Sequence, residues 1–319
     1  MKIVILDGHS VNPGDLSFEQ FEQFGDLTVY KRTAPHEVIE RVRGAQIVLT
    51  NKSRMSRDAF EAAPGIKWVG VLATGYDVVD IDAAREKGIP VCNVADYATA
   101  GVSEMVFALL LELCRHVGQH SEAVKKGQWA ASHDFCFWNH QQTEICGKTL
   151  GLIGLGNIGC RTAQIAQAFG MKVLAVSGSR RLKETDTLRY VSQDELFARS
   201  DVISLHCPLT EQTRGMIDKK AIEKMKVGVL FINTARGALV DEQALFDALE
   251  SGKMGGAACD VVSKEPIRTD NPLLRAKNMI ITPHIAWASK ESRQRLIDRA
   301  AANLAAFLDG RTECAVNMD

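Results

Sequence analysis

Short apolar runs alternate with amphipathic stretches along the N-terminal part of the chain. The apolar runs predict strands at Lys2–Leu6, Leu27–Tyr30, Ala45–Thr50, Trp68–Ala73 and Ile89–Val94. Between them lie helix signals, including Pro35 in a first turn and Asp80 before a run that stops at Gly88. This alternation predicts a parallel sheet with helices on both faces, which is a small flavodoxin-like unit.

The pattern changes at Ala100, where a single long helix is predicted as far as Gly127. Apolar residues recur there at helical spacing, at Val102, Val106, Leu109, Leu110, Leu113 and Val117. This stripe fits core packing and a dimer contact equally well. Residues 128 to 146 contain Trp129, Phe135, Phe137 and Trp138, which predicts an irregular aromatic arm covering a partner subunit or the neighbouring domain.

After the arm, strand and helix signals alternate again. Strands are predicted at Thr149–Ile153, Lys172–Ser177, Val202–Cys207, Val229–Thr234, Gly256–Val261 and Met279–Thr282. They predict a doubly wound sheet of the Rossmann kind, followed by an amphipathic helix over Arg293–Leu308 that returns to the first domain. The fold class is therefore α/β with two doubly wound parallel-sheet domains. Residues 1–98 and 288–319 form a flavodoxin-like substrate domain, and residues 99–287 form an inserted dinucleotide-binding Rossmann domain.

A glycine-rich turn lies at the start of this second sheet. Gly154, Gly156 and Gly159 form a G-x-G-x-x-G pattern between an apolar strand and a helix-like run. The first glycine allows the tight turn, the second lets the backbone approach a pyrophosphate, and the third lets helix and strand pack closely. The helix N-terminus then points at the anion, so the motif predicts a dinucleotide site.

Composition and charge exclude several classes of function. The net charge is −1 and the basic residues form only short pairs, which argues against a nucleic-acid partner. No window approaches the ~20 apolar residues of a membrane span, and the N-terminal apolar run is too short for a signal peptide. The eight cysteines contain no C-x-x-C pair, so reduced thiols in a cytoplasmic protein are expected, with no disulfide and no metal site.

Arg236 and His284 follow predicted strand ends, where open α/β sheets bind ligands, and Glu265 lies in a loop directly before Pro266. Arg236 has a planar guanidinium that can hold a carboxylate or carbonyl oxygen at two points. His284 can shuttle a proton near neutral pH, and Glu265 could orient it and stabilise its charged form. Reduction of a 2-oxo acid needs a cation for the carboxylate and a proton donor for the carbonyl oxygen, and these residues can supply both.

Five motifs together resemble the D-isomer-specific 2-hydroxyacid dehydrogenases over essentially the whole chain. They are the glycine loop, His206–Thr210, Asn233–Gly237, Asp260–Pro266 and Thr282–Trp287. Ala73–Asp77 and Asp134–Trp138 are most similar to the glycerate dehydrogenases, also called hydroxypyruvate reductases. The resemblance implies a hydride transfer from a nicotinamide, with His284 as proton donor, Glu265 as its partner and Arg236 as the substrate clamp. It also implies a homodimer formed through the Rossmann domain.

The resemblance further implies the binding residues. Those for the substrate are Asn51, Lys52, Ala73, Thr74 and Gly75. Those for the cofactor, besides the three glycines, are Val102, Asn157, Ile158, Ser177, Ser179, Arg180, Arg181, His206, Cys207, Pro208, Thr213, Thr234, Ala235 and Asp260, the last at the nicotinamide amide.

The end of the second Rossmann strand bears on which cofactor binds. NAD-dependent members carry an acidic residue about 20 residues after the glycine loop, where it binds the ribose 2′-OH. Ser177 occupies that position here, and no carboxylate follows before Glu184. Ser179, Arg180 and Arg181 could instead bind a 2′-phosphate, so NADP(H) is expected to be preferred, with NAD(H) possible.

Other functions share parts of this pattern. A cofactor-sensing binding protein similar to the C-terminal binding corepressors could retain the same three polar residues, although this chain shows no additional interaction segments. Formate dehydrogenases pair their histidine with Gln where this chain has Glu265. A phosphoglycerate-type or another 2-hydroxyacid dehydrogenase stays open as an alternative, although the regulatory domain of many phosphoglycerate dehydrogenases is not found here.

Overall fold

Two separate parallel sheets organise the chain, and the computed structural model describes residues 1–178 and 182–318 of it. The chain divides into two compact units accordingly. Unit 1 consists of Met1–Ala98 and the chain from Trp287 onwards, and unit 2 is the continuous segment Thr99–Ala286. Unit 2 is therefore inserted into unit 1.

Unit 1 contains a five-stranded sheet in the described part of the chain, with every pairing parallel. Its strands are β1 (Lys2–Ile5), β2 (Asp26–Val29), β3 (Ile47–Thr50), β4 (Trp68–Val71) and β5 (Val91–Cys92). The spatial order β2, β1, β3, β4, β5 is that of flavodoxin-like sheets. The strands β1, β3 and β4 are almost wholly buried because helices cover both faces.

The helices of unit 1 come from both ends of the sequence. They are α1 (Val38–Val42), α2 (Arg57–Ala62), α3 (Ile81–Glu86) and α10 (Lys290–Leu308), with short 3₁₀ turns at Gly8–Ser10, Glu19–Phe24 and Pro35–Glu37. Asp80 caps α3 by accepting a hydrogen bond from the Ala83 amide at 2.9 Å. Trp68 of β4 stacks on Phe307 of α10, with ring centroids 6.3 Å apart. The last helix thus completes one face of a sheet built from the first residues of the chain.

The C-terminal segment also corrects the expectation that all cysteines are reduced. Cys92 on β5 forms a disulfide with Cys314, across a Cα–Cα distance of 5.2 Å. The segment reaches β5 because the Val316 amide donates to Val91 O at 2.8 Å and Asn317 donates to Ile89 O at 2.8 Å. A pairing of residues 222 positions apart leaves no spacing signal in the sequence.

Unit 2 contains a seven-stranded parallel sheet among the residues described. Its strands are β6 (Thr149–Ile153), β7 (Lys172–Val176), β8 (Leu188–Tyr190), β9 (Val202–Leu205), β10 (Val229–Asn233), β11 (Met254–Cys259) and β12 (Met279–Ile281). The order β8, β7, β6, β9, β10, β11, β12 is the Rossmann order extended by one strand. The predicted fold class is confirmed for both sheets, although the sequence analysis missed the short strand β8.

Helices cover both faces of this second sheet. They are α4 (Thr99–Arg115), α5 (Val117–Lys125), α6 (Asn157–Ala168), α7 (Gln193–Arg199), α8 (Lys219–Lys224) and α9 (Glu242–Glu250), with 3₁₀ turns at Gly237–Leu239 and Pro272–Arg275. One core lies under α4 and α6 and includes Val106, Leu110 and Ala163. The other lies under α7, α8 and α9 and includes Phe197, Phe231 and Leu245.

The single long helix predicted after Ala100 is two helices. His116 adopts a left-handed conformation with φ of 48°, which interrupts the helix between α4 and α5. The apolar stripe is buried along α4 but not beyond the break, where Val117 is 62% exposed. Within the two described ranges of the chain, no helix combines the length and the apolar character that a bilayer crossing requires.

Candidate active site

The glycine turn between β6 and α6 is shaped by contacts that leave no room for side chains. Gly154 has φ of +101°, and a Cβ there would lie 2.6 Å from the carbonyl oxygen of His206. A Cβ on Gly159 would overlap the carbonyl of Gly154. A Cβ on Gly156 would meet nothing within 4 Å, and Gly156 supplies no capping side chain to α6. The turn is therefore tight on its inner side and open at the helix N-terminus, which suits the approach of a pyrophosphate.

The loops that follow β9 and β10 continue this edge of the sheet. The half-buried His206 has Nε2 2.9 Å from Ser204 Oγ, and loss of solvation lowers its pKa to about 4, so the imidazole is neutral. Thr213 Oγ1 donates to Pro208 O at 2.8 Å and accepts from the Thr210 amide at 2.8 Å, which closes the next loop. Burial raises the pKa of the half-buried Cys207 thiol, so this thiol is protonated at neutral pH.

Thr234 provides a direct test of whether a ligand fits here. Among the described residues, its buried Oγ1 has no hydrogen-bond partner. Buried polar atoms without a partner are uncommon in folded proteins and call for an explanation such as an absent ligand. Together with the open glycine turn, this atom fits a site that takes a dinucleotide. The neighbouring Ala235 amide, in contrast, donates to Asn233 Oδ1 at 3.0 Å.

The remaining predicted cofactor residues lie on α4 and at the start of α6. Val102 is buried in α4, the helix that packs on α6. Asn157 and Ile158 begin α6, and Ile158 O accepts from Thr162 Oγ1 at 2.9 Å. All three therefore belong to the structure that supports the glycine turn.

The end of β7 carries no carboxylate. Ser177 Oγ accepts a hydrogen bond from the Leu155 amide of the glycine turn at 3.4 Å. Glu184, the next acidic residue, accepts from the Tyr190 amide at 2.9 Å and so binds to β8. Ser179, Arg180 and Arg181 lie outside the described residues.

His284 and Glu265 form a close polar pair in the candidate site. His284 Nδ1 lies 2.6 Å from Glu265 Oε2, and the two side chains are 28% and 35% exposed. The other carboxylate oxygen of Glu265 accepts from the Val262 amide at 3.2 Å. A half-exposed imidazole held through one nitrogen by a carboxylate can exchange a proton through the other.

Asp260 fixes the backbone that carries His284. Its buried carboxylate accepts from Thr282 Oγ1 at 2.5 Å, from the Ile285 amide at 2.9 Å and from the Ala286 amide at 2.8 Å. These bonds enclose His284, which has a left-handed φ of 55°. Such a conformation persists in a residue with a side chain only where the surroundings enforce it. Asp260 is predicted to contact the nicotinamide amide. In the structure, both of its carboxylate oxygens accept hydrogen bonds from other residues of the chain.

Arg236 follows β10 and is exposed. Its Nη1 donates to Ala235 O at 2.7 Å, and its own carbonyl accepts from Asn233 Nδ2 at 2.9 Å. The next residue, Gly237, packs so tightly that a Cβ would overlap the carbonyl of Val262. The turn bearing Arg236 therefore lies directly against the loop that leads to Glu265.

The sequence analysis missed Glu242, at the start of α9. Its carboxylate accepts from the Ser263 amide and hydroxyl at 2.7 Å each, and from Asn271 Nδ2 at 3.0 Å. It thus anchors the loop between β11 and Glu265. An acidic residue in a first helical turn is ordinary, so no local signal distinguishes it.

The residues predicted to bind substrate lie at the carboxyl ends of β3 and β4 in unit 1. Asn51 is buried, with Nδ2 donating to Leu72 O and Oδ1 accepting from Ser10 Oγ at 3.3 Å, whereas Lys52 is exposed. Ala73 is half-buried and accepts from the Val94 amide at 3.0 Å. Thr74 Oγ1 donates to Val94 O at 3.1 Å, next to Gly75. Within the described residues, no cluster of three or more His, Cys, Asp or Glu side chains could hold a metal ion.

Comparison with known proteins gives the family. The family described as D-isomer specific 2-hydroxyacid dehydrogenase, NAD binding domain, matches residues 107–286. A hydroxypyruvate reductase from Blautia hydrogenotrophica is 53% identical over 99% of this chain and 100% of its own length. A glycerate dehydrogenase from Methylorubrum extorquens is 41% identical, with 99% and 98% of the two chains covered. A solved acyclic imino acid reductase in complex with NADPH and D-Arg has a TM-score of 0.86 at 31% identity, covering 99% of this chain and 100% of its own.

The two relatives match 99% of the chain and the family model matches more than half of it, so the predicted resemblance is confirmed. The protein is an oxidoreductase that uses a nicotinamide cofactor and acts on a small 2-hydroxy or 2-oxo acid. It belongs to the family of D-isomer-specific 2-hydroxyacid dehydrogenases.

Proposed function

We propose that the protein reduces hydroxypyruvate, and also glyoxylate, to the corresponding 2-hydroxy acid. The observation that carries this proposal is the 2.6 Å bond between His284 and Glu265 at the carboxyl edge of the unit 2 sheet. The substrate class is supported by the hydroxypyruvate reductase and the glycerate dehydrogenase that the chain matches end to end.

His284 acts as the proton donor in this proposal. When bound, a reduced nicotinamide supplies the hydride that reaches the carbonyl carbon of the substrate. The imidazolium of His284 gives its proton to the carbonyl oxygen, which becomes the new hydroxyl, and the imidazole is left neutral. In the proposal, the Glu265 carboxylate holds the ring by Nδ1 and so fixes the orientation of the imidazole.

Arg236 binds the substrate as a fixed cation. Its guanidinium can hold the carboxylate and polarise the carbonyl through two parallel hydrogen bonds. The tight packing of Gly237 supports this role because it fixes the backbone from which the side chain leaves. In unit 1, the proposed carboxylate-binding groups are Lys52 and the loop of Ala73, Thr74 and Gly75.

The cofactor is proposed to be NADP(H) in preference to NAD(H). Ser177 and the engagement of Glu184 by Tyr190 support this choice, since no carboxylate at the end of β7 would repel a 2′-phosphate. Ser179, Arg180 and Arg181 are the proposed phosphate ligands. A structural relative binds NADPH, so the fold accommodates it. A kcat/KM with NADH above that with NADPH would contradict the preference.

The protein is proposed to act as a homodimer through unit 2. Its arm exposes three large apolar side chains, Trp129 at 53%, Phe135 at 89% and Trp138 at 67%. Apolar groups so exposed commonly mark a protein interface. Light scattering of the purified protein should give twice the 34.9 kDa chain mass. A monomeric mass at micromolar concentration would refute this part of the proposal.

A spectrophotometric assay tests the whole assignment. Purified protein is given hydroxypyruvate, glyoxylate, pyruvate and 3-phosphohydroxypyruvate with each reduced cofactor. We expect the highest kcat/KM with hydroxypyruvate. Preference for the phosphorylated acid would favour a phosphoglycerate-type enzyme. Tight cofactor binding without turnover of any acid would favour the second candidate, a cofactor-sensing binding protein.

A further inference from the structure

A buried carboxylate lies beneath the proposed substrate loop of unit 1. Asp7 follows β1 at the carboxyl end of the sheet and is only 7% exposed. A carboxylate removed from water must recover its lost hydration from neighbouring donors. The donors that meet it identify what Asp7 does.

Three consecutive backbone amides converge on this carboxylate. The Asn51 amide donates to Oδ1 at 2.7 Å, and the amides of Lys52 and Ser53 donate to Oδ2 at 2.5 and 2.7 Å. Successive amides that point to one place form an anion-binding concavity. Here the anion is part of the chain, and it comes from a residue more than 40 positions earlier.

Further hydrogen bonds hold the loop of residues 51 to 53 around the Asp7 carboxylate. Thr50 Oγ1 donates to Ser53 O at 2.7 Å, and Asn51 Nδ2 donates to Leu72 O. Ser10 Oγ links Asn51 Oδ1 to the carbonyl of Asp7, at 3.3 and 2.9 Å. With Asn51 and Ser53 buried, the loop exposes Lys52 alone among the three residues bound to Asp7.

We infer that Asp7 is a positioning residue that sets the affinity for the 2-oxo acid by fixing the backbone from which Lys52 leaves. The inference rests on the proposed function, in which Lys52 binds the substrate carboxylate. Asp7 does not itself touch the substrate in this scheme. The Asp7 carboxylate accepts these hydrogen bonds from the loop backbone itself, and through them it holds the loop.

Replacing Asp7 by Asn tests the inference with little change of shape. An amide offers one oxygen, and its NH₂ group must face at least one of the three backbone donors, which leaves that donor unmatched. The loop should then open more often. Asp80→Asn is the matched control, because Asp80 also accepts from a backbone amide in unit 1 but caps α3.

Two measurements separate loop order from substrate binding. Hydrogen exchange of the amides of residues 51 to 53 should be at least ~10-fold faster in Asp7→Asn than in the wild type, and unchanged in Asp80→Asn. The KM for hydroxypyruvate should rise about 10-fold in Asp7→Asn, with kcat and the dissociation constant of NADPH within about twofold. Adding Asp7→Asn to Lys52→Ala should raise KM little further, because both changes remove the same contact.

The outcomes distinguish the inference from the proposed function. Unchanged exchange at residues 51 to 53 would overturn the inference, and so would faster exchange with an unchanged KM or additive effects in the double variant. A wild type that reduces pyruvate but not hydroxypyruvate would overturn the proposed substrate. The wild type and Asp7→Asn would then be compared by their KM for pyruvate. An Asp7→Asn protein too unstable to assay would be replaced by Ser10→Ala, which should raise exchange and KM in the same direction by a smaller factor.

Discussion

Glu265 Oε2 lies 2.6 Å from His284 Nδ1, and this pair makes the first prediction. Glu265→Gln keeps the side-chain shape but removes the charge of the carboxylate that holds His284 Nδ1. We expect kcat for hydroxypyruvate to fall roughly 10- to 100-fold, within the range that general acid catalysis contributes. His284→Ala should lower kcat further, by about 10²- to 10⁴-fold. NADPH binding, followed by fluorescence titration, should change less than twofold in both variants, and retained turnover in His284→Ala would refute the proton-donor role.

Asp260 allows a test between two roles. If its carboxylate orders the turn around His284, Asp260→Asn should lower kcat at least ~10-fold while the dissociation constant of NADPH stays within about twofold. If Asp260 instead contacts the nicotinamide amide, cofactor binding should weaken to a similar degree. Thr282→Val removes one of the three donors to Asp260 and should give a smaller effect of the same kind. Isothermal titration and steady-state kinetics on the same preparations distinguish the two.

Ser177 gives the prediction on cofactor choice. Ser177→Asp would place a carboxylate at the end of β7, where it can bind a ribose 2′-OH and repel a 2′-phosphate. We expect the ratio of kcat/KM for NADPH to that for NADH to fall at least ~10-fold. Glu184→Gln, which changes the next carboxylate along the chain, should leave this ratio unchanged. An unaltered ratio in Ser177→Asp would show that the end of β7 does not distinguish the ribose 2′-OH of NADH from the 2′-phosphate of NADPH.

His206 predicts how stability depends on pH. Burial lowers its pKa from 6.5 to about 4 in the folded protein. Between these two pH values, His206 is therefore protonated in the unfolded chain but neutral in the folded chain. The contribution of neutral His206 to the free energy of unfolding is fully present above pH 6.5. It is lost as the pH falls towards 4, and the loss reaches about 3 kcal/mol. Urea unfolding at pH 7 and pH 5 measures the larger part of this loss, about 2 kcal/mol.

The control for this experiment is a variant without the imidazole. His206→Asn should lose less stability between pH 7 and pH 5 than the wild type. Burial and the nearby His140 also lower the pKa of His116, which adds a loss of the same sign in both proteins. Equal losses in wild type and variant would show that His206 does not titrate in this way.

Local patterns predicted most of the fold. Apolar strands and capped helices are encoded by residues close together in sequence, so both sheets were predicted from local patterns, and Arg236 and His284 follow the strands β10 and β12. The left-handed His116 was missed because the position is occupied by a histidine, while the nearby Gly118 lies within α5. The roles of Asp7, Asp260 and Glu242 depend on donors 21 to 46 residues away, and a carboxylate in sequence does not reveal which amides it will meet. The predicted domain limits and binding roles remain predictions to be tested by the experiments above.

The discontinuity of unit 1 has a consequence for synthesis on the ribosome. Unit 2 is one uninterrupted segment, whereas the sheet of unit 1 needs α10, whose Arg293 binds Asp15 at 2.7 Å and whose Phe307 stacks on Trp68. Domains generally fold as units once their chain has emerged. The strands β1 to β5 are translated before α10 and must therefore wait, with an apolar face uncovered, until α10 has left the exit tunnel. Unit 1 is thus begun before unit 2 and completed after it.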